Sequence, residues 1–247
     1  MYRPTPERFY PLFDAALLDF APRMVMKVVP GDVISDAIAL TGIYDLSLTR
    51  WLVKVARDEG GVFVDVGANV GYFCLIWSAQ HERNRTVAFE PSPNCFELLE
   101  RNVRENALQD RISARREAVA NCHGSMQFDL GDADQTGWGG LTLDASHGSV
   151  AVDVVTLDEA LPSSAEISVL KVDAQGADLL VLRGAERLLR GRSVHHVRWK
   201  ECKWRMGQFG IAVGEAEAFM RSVGYEPIAL DDAGAEIVRW YAQPRHR

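Results

Sequence analysis

Val62-Phe-Val-Asp-Val-Gly-Ala-Asn-Val-Gly-Tyr72 decides the fold. A short apolar run that leaves through glycines suits a strand buried on both faces of a parallel sheet. Gly67 and Gly71 let backbone approach a ligand closely, because a Cβ there would collide with it. The helix that starts next supplies unpaired N–H groups. In a dinucleotide enzyme such groups hold pyrophosphate. The fingerprint G-x-G-x-x-G fails here, however: counted from Gly67, Asn69 takes the second glycine's place and Tyr72 the third's. An Asn side chain suits an amino-acid ligand, and Asp65 suits an ammonium group better than a phosphate.

Outward from this turn the spacing predicts a helix over 70–80, an apolar strand over Thr86–Glu90, and a helix from Pro93 to Asn106 with proline in its first turn. Ile112–Arg116 reads as a third strand. This alternation implies βαβ units and a parallel sheet. Farther on, Ser125–Leu130 and Val150–Val155 read as strands around a Gly-rich loop, Gly131–Gly148. Ile167–Asp173 is another apolar strand, Gly176–Leu189 a helix, and Val194–Lys200 the next strand. A helix over Gly214–Ser222 precedes a closing antiparallel pair, Tyr225–Leu230 and Glu236–Tyr241. Upstream, Tyr2–Val29 holds four of the ten prolines and reads as short helices. Asp45-Leu46-Ser47 offers caps for a helix through Arg57 whose apolar face is Leu48, Trp51, Leu52, Val55 and Ala56. Two regions are expected: residues 1–59, an N-terminal helical extension serving as a lid or a homodimer contact, and residues 60–247, the catalytic domain.

Three acids close strands of this sheet. Glu90 can accept hydrogen bonds from both hydroxyls of an adenosine ribose. Asp173 ends Leu170-Lys-Val-Asp-Ala-Gln-Gly-Ala-Asp178, where a glycine again opens a helix. Ligands of open α/β sheets lie outside the carboxyl ends of the strands, so Asp65, Glu90 and Asp173 are expected to face one crevice. The plainer reading of Asp173 is a helix cap.

Phe63–Tyr72, Ala88-Phe-Glu-Pro-Ser-Pro93 and Leu170–Asp178, in this order and at these separations, resemble the FkbM family of methyltransferases. Gly42-Ile-Tyr-Asp45 looks like the family's Gly-x-aromatic-acid element. The resemblance implies a Rossmann-like class I methyltransferase fold, with a mostly parallel seven-stranded sheet and helices on both faces. It also implies S-adenosylmethionine as cofactor and O-methylation of hydroxyls on natural products or sugars. Carried over, Asp65, Gly67, Ala68, Asn69 and Gly71 surround the methionine part, Glu90 holds the ribose, and Pro91 and Ser92 lie beside the adenine. Glu117 and Ala118 are weaker adenine-side candidates. The chain departs from the family at Gln175 and Asp178, where the family carries Glu, and a mechanism that relies on the first of these is in doubt.

A hydroxyl acceptor must lose its proton, so a base is useful. Asp173 is the first candidate and should also lie near the sulfonium. His195 and His196 are others, although satisfied structural histidines are the plainer reading. Glu201 looks like the family's acid after its fifth strand and is a candidate for catalysis or acceptor contact. Tyr44, Trp204 and Trp138, the last set among glycines in a loop able to close over a ring, are the substrate-binding candidates. Trp199, Met206 and Phe209 read equally well as pocket or core.

Composition narrows the partners. With 27 basic against 34 acidic side chains the chain repels phosphate backbones, which argues against a nucleic-acid substrate. The four cysteines are scattered, which disfavours zinc or a disulfide framework, and no ligand set for a metal is assignable. No run is long enough to span a bilayer and no leader pattern opens the chain, so a cytoplasmic protein without membrane partners is expected. An NAD(P)-dependent oxidoreductase explains the first turn and Glu90 but not Asn69. A non-catalytic adenosyl-binding module remains the other alternative.

Overall fold

A run such as Val62–Val66 forms a central strand because no face of it is left for water. A computed structural model, which describes residues 13–132, 135–145, 148–232 and 236–244, bears this out: Phe63 to Val66 are buried. The strands are β1 (Ala15–Leu18), β2 (Ala21–Lys27), β3 (Val62–Val66), β4 (Arg85–Phe89), β5 (Ile112–Arg115), β6 (Ala118–Val119), β7 (Gly124–Asp129) and β8 (Gly140–Thr142). They continue with β9 (Ser149–Val155), β10 (Ile167–Val172), β11 (Val194–Cys202), β12 (Glu226–Asp232) and β13 (Glu236–Ala242). The helices are α1 (Val33–Thr41), α2 (Leu46–Asp58), α3 (Tyr72–Gln80), α4 (Pro93–Glu105) and α5 (Leu157–Ala160). After them come α6 (Asp178–Arg183), α7 (Glu186–Arg190), α8 (Lys203–Met206) and α9 (Glu215–Ser222).

Seven strands form the main sheet in the order β12-β13-β11-β10-β3-β4-β5. Neighbours from β11 to β5 pair in parallel, and β13 runs antiparallel to both β11 and β12. The expected mostly parallel, Rossmann-like α/β architecture is therefore present. One large apolar cluster joins Phe63, Leu75, Trp77 and Leu99 to Leu48 and Leu52 of α2. A second gathers Val64, Leu170, Leu182, Trp199 and Tyr241. From β3 the chain steps outward through β4 and β5, then returns to the other side of β3 with β10 and β11. The order reverses between β3 and β10, and open α/β sheets bind ligands beyond the carboxyl ends at such a point.

Four further strands form a second sheet, β6-β9-β7-β8, beside that end. Strand β8 lies inside the stretch expected to be a loop, because Gly140–Thr142 pairs with Gln127–Asp129. The helix expected over 176–189 is broken into α6 and α7 at Gly184, where a Cβ would come within 2.0 Å of the Ala120 carbonyl oxygen.

The N-terminal expectation is corrected in part. Its first twelve residues lie outside the described residues, and Ala15–Lys27 forms a β-hairpin rather than short helices. The hairpin's free edge finds its partner on a helix. Asn102 on α4 and Asn106, the helix C-cap, each exchange two hydrogen bonds with backbone, Asn102 at Lys27 and Asn106 at Val25, over 2.6–3.2 Å. Side-chain amides thereby satisfy an edge that would otherwise be left unpaired. Helices α1 and α2 follow, capped by Asp32 and Asp45, whose carboxylates accept from Ser35 and Leu48 N–H groups.

Across the switch point Asp65 and Lys171 face each other in register. The Lys171 ammonium donates to Asp65 Oδ1 at 2.7 Å and to the Gly67 carbonyl at 3.1 Å, and the Asp65 side chain has no exposure at all. Burial raises the Asp65 pKa despite that ammonium. Breaking a buried pair leaves an uncompensated group, whereas replacing both partners with apolar residues is tolerated. Lys171→Met is expected to cost about 3–5 kcal/mol in urea unfolding, and adding Asp65→Leu to recover most of the loss. Equal stability of Lys171→Met and wild type would disprove the role.

Candidate active site

The turn after β3 is shaped by positive φ angles, +74° at Gly67, +53° at Asn69 and +95° at Gly71. Glycine is required at 67, since a Cβ would lie 2.2 Å from the Asp173 carbonyl oxygen. That contact ties the turn after β3 to the turn after β10. The left-handed conformation at Asn69 points its N–H at Glu90 Oε2 (2.8 Å), while Ser92 N–H donates to Glu90 Oε1 (2.9 Å). Burial pushes the Glu90 carboxyl up to about 7 although both N–H groups favour its charged form. Each Glu90 oxygen keeps a further lone pair.

A cavity of about 510 Å³ opens above these turns, a size usual for ligand sites. Gly67, Ala68 and Asn69 form one end, and Glu90, Pro91, Ser92, Glu117 and Ala118 another. Phe89, Leu98 and Phe128 supply apolar wall. Asp173 lies in its wall, and its Oδ1 accepts from the Lys200 ammonium at 3.1 Å and the Gln175 amide at 3.0 Å. Burial acts to raise the Asp173 pKa, but Lys200, Lys171 and Arg198 outweigh it and hold the carboxyl below its ordinary value. Tyr44 lines the same cavity, and burial, with Asp173 nearby, pushes its hydroxyl up to about 12.

A segment of the second sheet's loop covers this floor. Asn69 Nδ2 donates to Thr136 Oγ1 (3.1 Å), Thr136 N–H donates to Asp32 Oδ1 (2.9 Å), and Gln135 Nε2 donates to the Gly31 carbonyl (3.2 Å). Beside this strap lies a second cavity of about 470 Å³, which shares Ile34, Tyr44, Gln135, Gly137, Gln175 and Lys200 with the first. Trp138 and Trp204, 57% and 69% exposed, line it with Tyr44, so the three substrate-binding candidates line one cavity.

Other expectations need correction. His195 sits near the start of β11, half-exposed and 3.7 Å from Glu166, at the end of the strand away from the cavity. His196 faces α2, 3.2 Å from Glu59 and edge-on to Trp51. Glu201 is buried against Arg239 at 3.1 Å and lines neither cavity. Strand β11 runs to Cys202, and alternation turns Lys200 toward the site and Glu201 away. Asp65 cannot meet an ammonium of the ligand because Lys171 already occupies it, and Gly71 packs on Leu99 behind the turn. Asp178 turns back on its own loop, accepting from Ala174 and Gly176 N–H groups, and burial pushes its carboxyl up to about 7. Trp199 and Met206 are core. Lys171 and Lys200 were missed as functional groups. Lys171 had a signal, a lone cation inside an apolar strand, which demands a buried partner, whereas Lys200 lies in the polar run Val194–Cys202 and had none.

A model of the FkbM methyltransferase domain matches residues 65–227, well over half of the chain. The chain belongs to the FkbM methyltransferase family. Its cofactor is S-adenosylmethionine, and the cavity fits that molecule: apolar surface for a base, and a buried carboxylate with spare lone pairs for hydroxyls. Among similar proteins, the 31-O-demethyl-FK506 methyltransferase FkbM of Streptomyces tacrolimicus is 27% identical over 74% of this chain and 80% of its own length. Methyltransferase sdnD of Sordaria araneosa is 28% identical over 58% and 68%, and the hexuronic acid methyltransferase AglP of Haloferax volcanii 29% identical over 57% and 56%. A solved RNA methyltransferase from Salinibacter ruber, in complex with S-adenosyl-L-homocysteine, superposes with a TM-score of 0.42 at 15% identity, covering 83% of this chain and 95% of that one. Among the described residues this methyltransferase has no helix long and apolar enough to cross a membrane and no cluster of metal ligands.

Glu90 and Asp178 carry raised pKa values, about 7 against ordinary values of 4.5 and 3.8. The folded methyltransferase binds these protons more tightly than the unfolded chain. Their stabilising contribution is thus complete below about pH 4 and is lost as pH rises through about 7. Between pH 5 and 8 wild type is expected to lose stability relative to Glu90→Gln, by an amount on the order of 2–3 kcal/mol. A difference between the two urea-unfolding curves that is constant with pH would show that Glu90 titrates normally.

Proposed function

We propose that this methyltransferase O-methylates a hydroxyl of a small molecule, with Asp173 as the group that receives the acceptor hydroxyl. The observation that carries this reading is the asymmetry of the Asp173 carboxylate. Oδ1 is held by Lys200 and Gln175, while Oδ2 accepts no hydrogen bond among the described residues. Lys200 and Gln175 also line both cavities, which supports reading Asp173, in the wall of the first, as lying between cofactor and acceptor. The acidic chain argues against a phosphate backbone as acceptor. Two relatives are named for small molecules, 31-O-demethyl-FK506 and a hexuronic acid.

Glu90 would hold the ribose hydroxyls, Pro91, Ser92, Glu117 and Ala118 would lie beside the adenine, and Gly67, Ala68 and Asn69 would hold the amino-acid end. When bound, S-adenosylmethionine supplies a methyl group on a sulfonium that is already a good leaving group. The chain's own part is alignment and exclusion of water, which the strap over Asn69 favours. Asp173, held below its ordinary pKa, is a weak base. It orients the hydroxyl through Oδ2 and accepts its proton as the oxygen loses electron density. Tyr44 stays protonated through neutral pH and serves as a donor beside it.

Asp173→Asn is expected to lower kcat by about 100-fold or more while S-adenosylhomocysteine affinity, measured by calorimetry, stays within about threefold of wild type. Undiminished transfer of labelled methyl by this variant to an accepted hydroxyl substrate would refute the role. Gln175→Glu sets a second carboxyl against Asp173. While that carboxyl is protonated it still donates as the amide does, and once ionised it repels Asp173. The kcat of Gln175→Glu relative to wild type is therefore expected to decline as pH rises from 6 to 9. Parallel pH profiles would remove Gln175 from the account.

A further inference from the structure

The second cavity has an unusual combination of walls and charge. Its mouth carries Trp138, Trp204 and Val33, at 57%, 69% and 66% exposure among the most exposed large apolar side chains described. Exposed apolar surface gathered at a concave site marks a place where something apolar docks. Arg205 packs over one face of the Trp204 ring, with its guanidinium carbon 4.9 Å from the centroid, which leaves the other face for a second ring.

The charge lies deeper. Asp32, Lys200 and Glu236 line the cavity, and Asp173 stands behind Lys200. The Lys200 ammonium is shared between Asp173 Oδ1 at 3.1 Å and Glu236 Oε1 at 3.3 Å, so its charge is already answered twice. Asp32 is held by the N–H groups of Ser35 and Thr136, with no cation against it. Arg205, behind Gly140, is paired with Asp129 and does not line the cavity. Two lining carboxylates, Asp32 and Glu236, thus stand against one engaged ammonium. An acceptor bearing its own carboxylate would meet net repulsion here, and among the described residues no other cation lines the cavity to receive it.

We infer that the acceptor is an uncharged, hydroxyl-bearing ring compound seated against Trp138 and Trp204, and that Glu236 excludes acceptors that carry a carboxylate. This deepens the O-methylation reading and rests on it for the identity of the cavity's occupant. It also separates this chain from an enzyme for acidic sugars. Glu236 acts by charge at the far side of Lys200, and the tryptophans act by ring contact at the mouth.

The test uses matched pairs that differ by one carboxylate: phenyl β-D-glucoside with phenyl β-D-glucuronide, and 4-hydroxybenzyl alcohol with 4-hydroxybenzoate. Each is titrated by calorimetry at pH 7 into the full chain saturated with S-adenosylhomocysteine. The neutral member of at least one pair is expected to bind about tenfold more tightly than its acid, the size of one like-charge contact near a surface. Glu236→Gln is expected to narrow that gap to within about threefold, and Trp138→Ala to weaken the neutral member about fivefold. Tighter binding of the acids, a gap unmoved in Glu236→Gln, or binding of no member of either pair would overturn the inference. The readout is binding rather than turnover. Failure of the O-methylation reading would instead appear as neutral rings that bind but are never methylated.

Discussion

The site depends on one buried ion pair. Asp65 and Lys171 stand opposite each other on the strands that flank the switch point, with no water to share their charge. Such a pair adds little net stability over apolar substitutes. Its value lies in what else the ammonium holds. Lys171 also binds the carbonyl of Gly67, the residue whose missing Cβ makes room for the Asp173 carbonyl. One side chain therefore fixes the register of β3 against β10 and the geometry of both turns. The cofactor turn and the carboxylate that follows β10 are positioned by a single contact behind them.

In front of that contact the rim acids differ by environment rather than by type. Glu90 and Asp178 are buried with only N–H groups as partners, and both rise to about 7. Asp173 is buried among ammonium and guanidinium groups and falls. In the proposed O-methylation, the anion that must stay ionised beside the acceptor hydroxyl would thus sit where cations favour its charged form. The carboxylates that hold a turn or face hydroxyl donors do without cations. Gln175 fits the same logic: with Lys200 already on Asp173 Oδ1, a neutral amide adds a donor without adding a second negative charge.

Much of this was legible in the sequence, and the misses share a cause. β3, β4 and β10 announce themselves as apolar runs ending in acids, and the parallel sheet follows from their alternation with helices. Whether a strand-end acid faces a ligand or a neighbouring side chain depends on its cross-strand partner, and Lys171 is far from Asp65 along the chain. The error at Glu201 is one of register: a strand two residues longer than expected turns Lys200 to the rim and Glu201 to Arg239. The β-hairpin was hidden because its edge is completed by Asn102 and Asn106, which sequence patterning reads as the solvated face of a helix.

The floor and walls of the site obey different constraints. The floor is made of strand ends, positive-φ turns and one buried charge pair, so a change there reaches the sheet itself. The walls come from elsewhere: Asp32 at the start of α1, Thr136 and Trp138 in the loop before β8, Trp204 after β11 and Glu236 on β13. Those segments meet through side chains and loop backbone, outside the parallel strands that carry the sheet. Trp138 and Trp204 are largely solvent-exposed and support little of the core. Under the proposal, exchanging them would alter which ring is welcomed at small cost to folding, whereas exchanging Lys171 disturbs the floor itself. On the proposed reading, the segments in which the sequence carries the weakest motifs are the ones that select the acceptor, because selection needs no more than exposed side chains on a floor held rigid from behind.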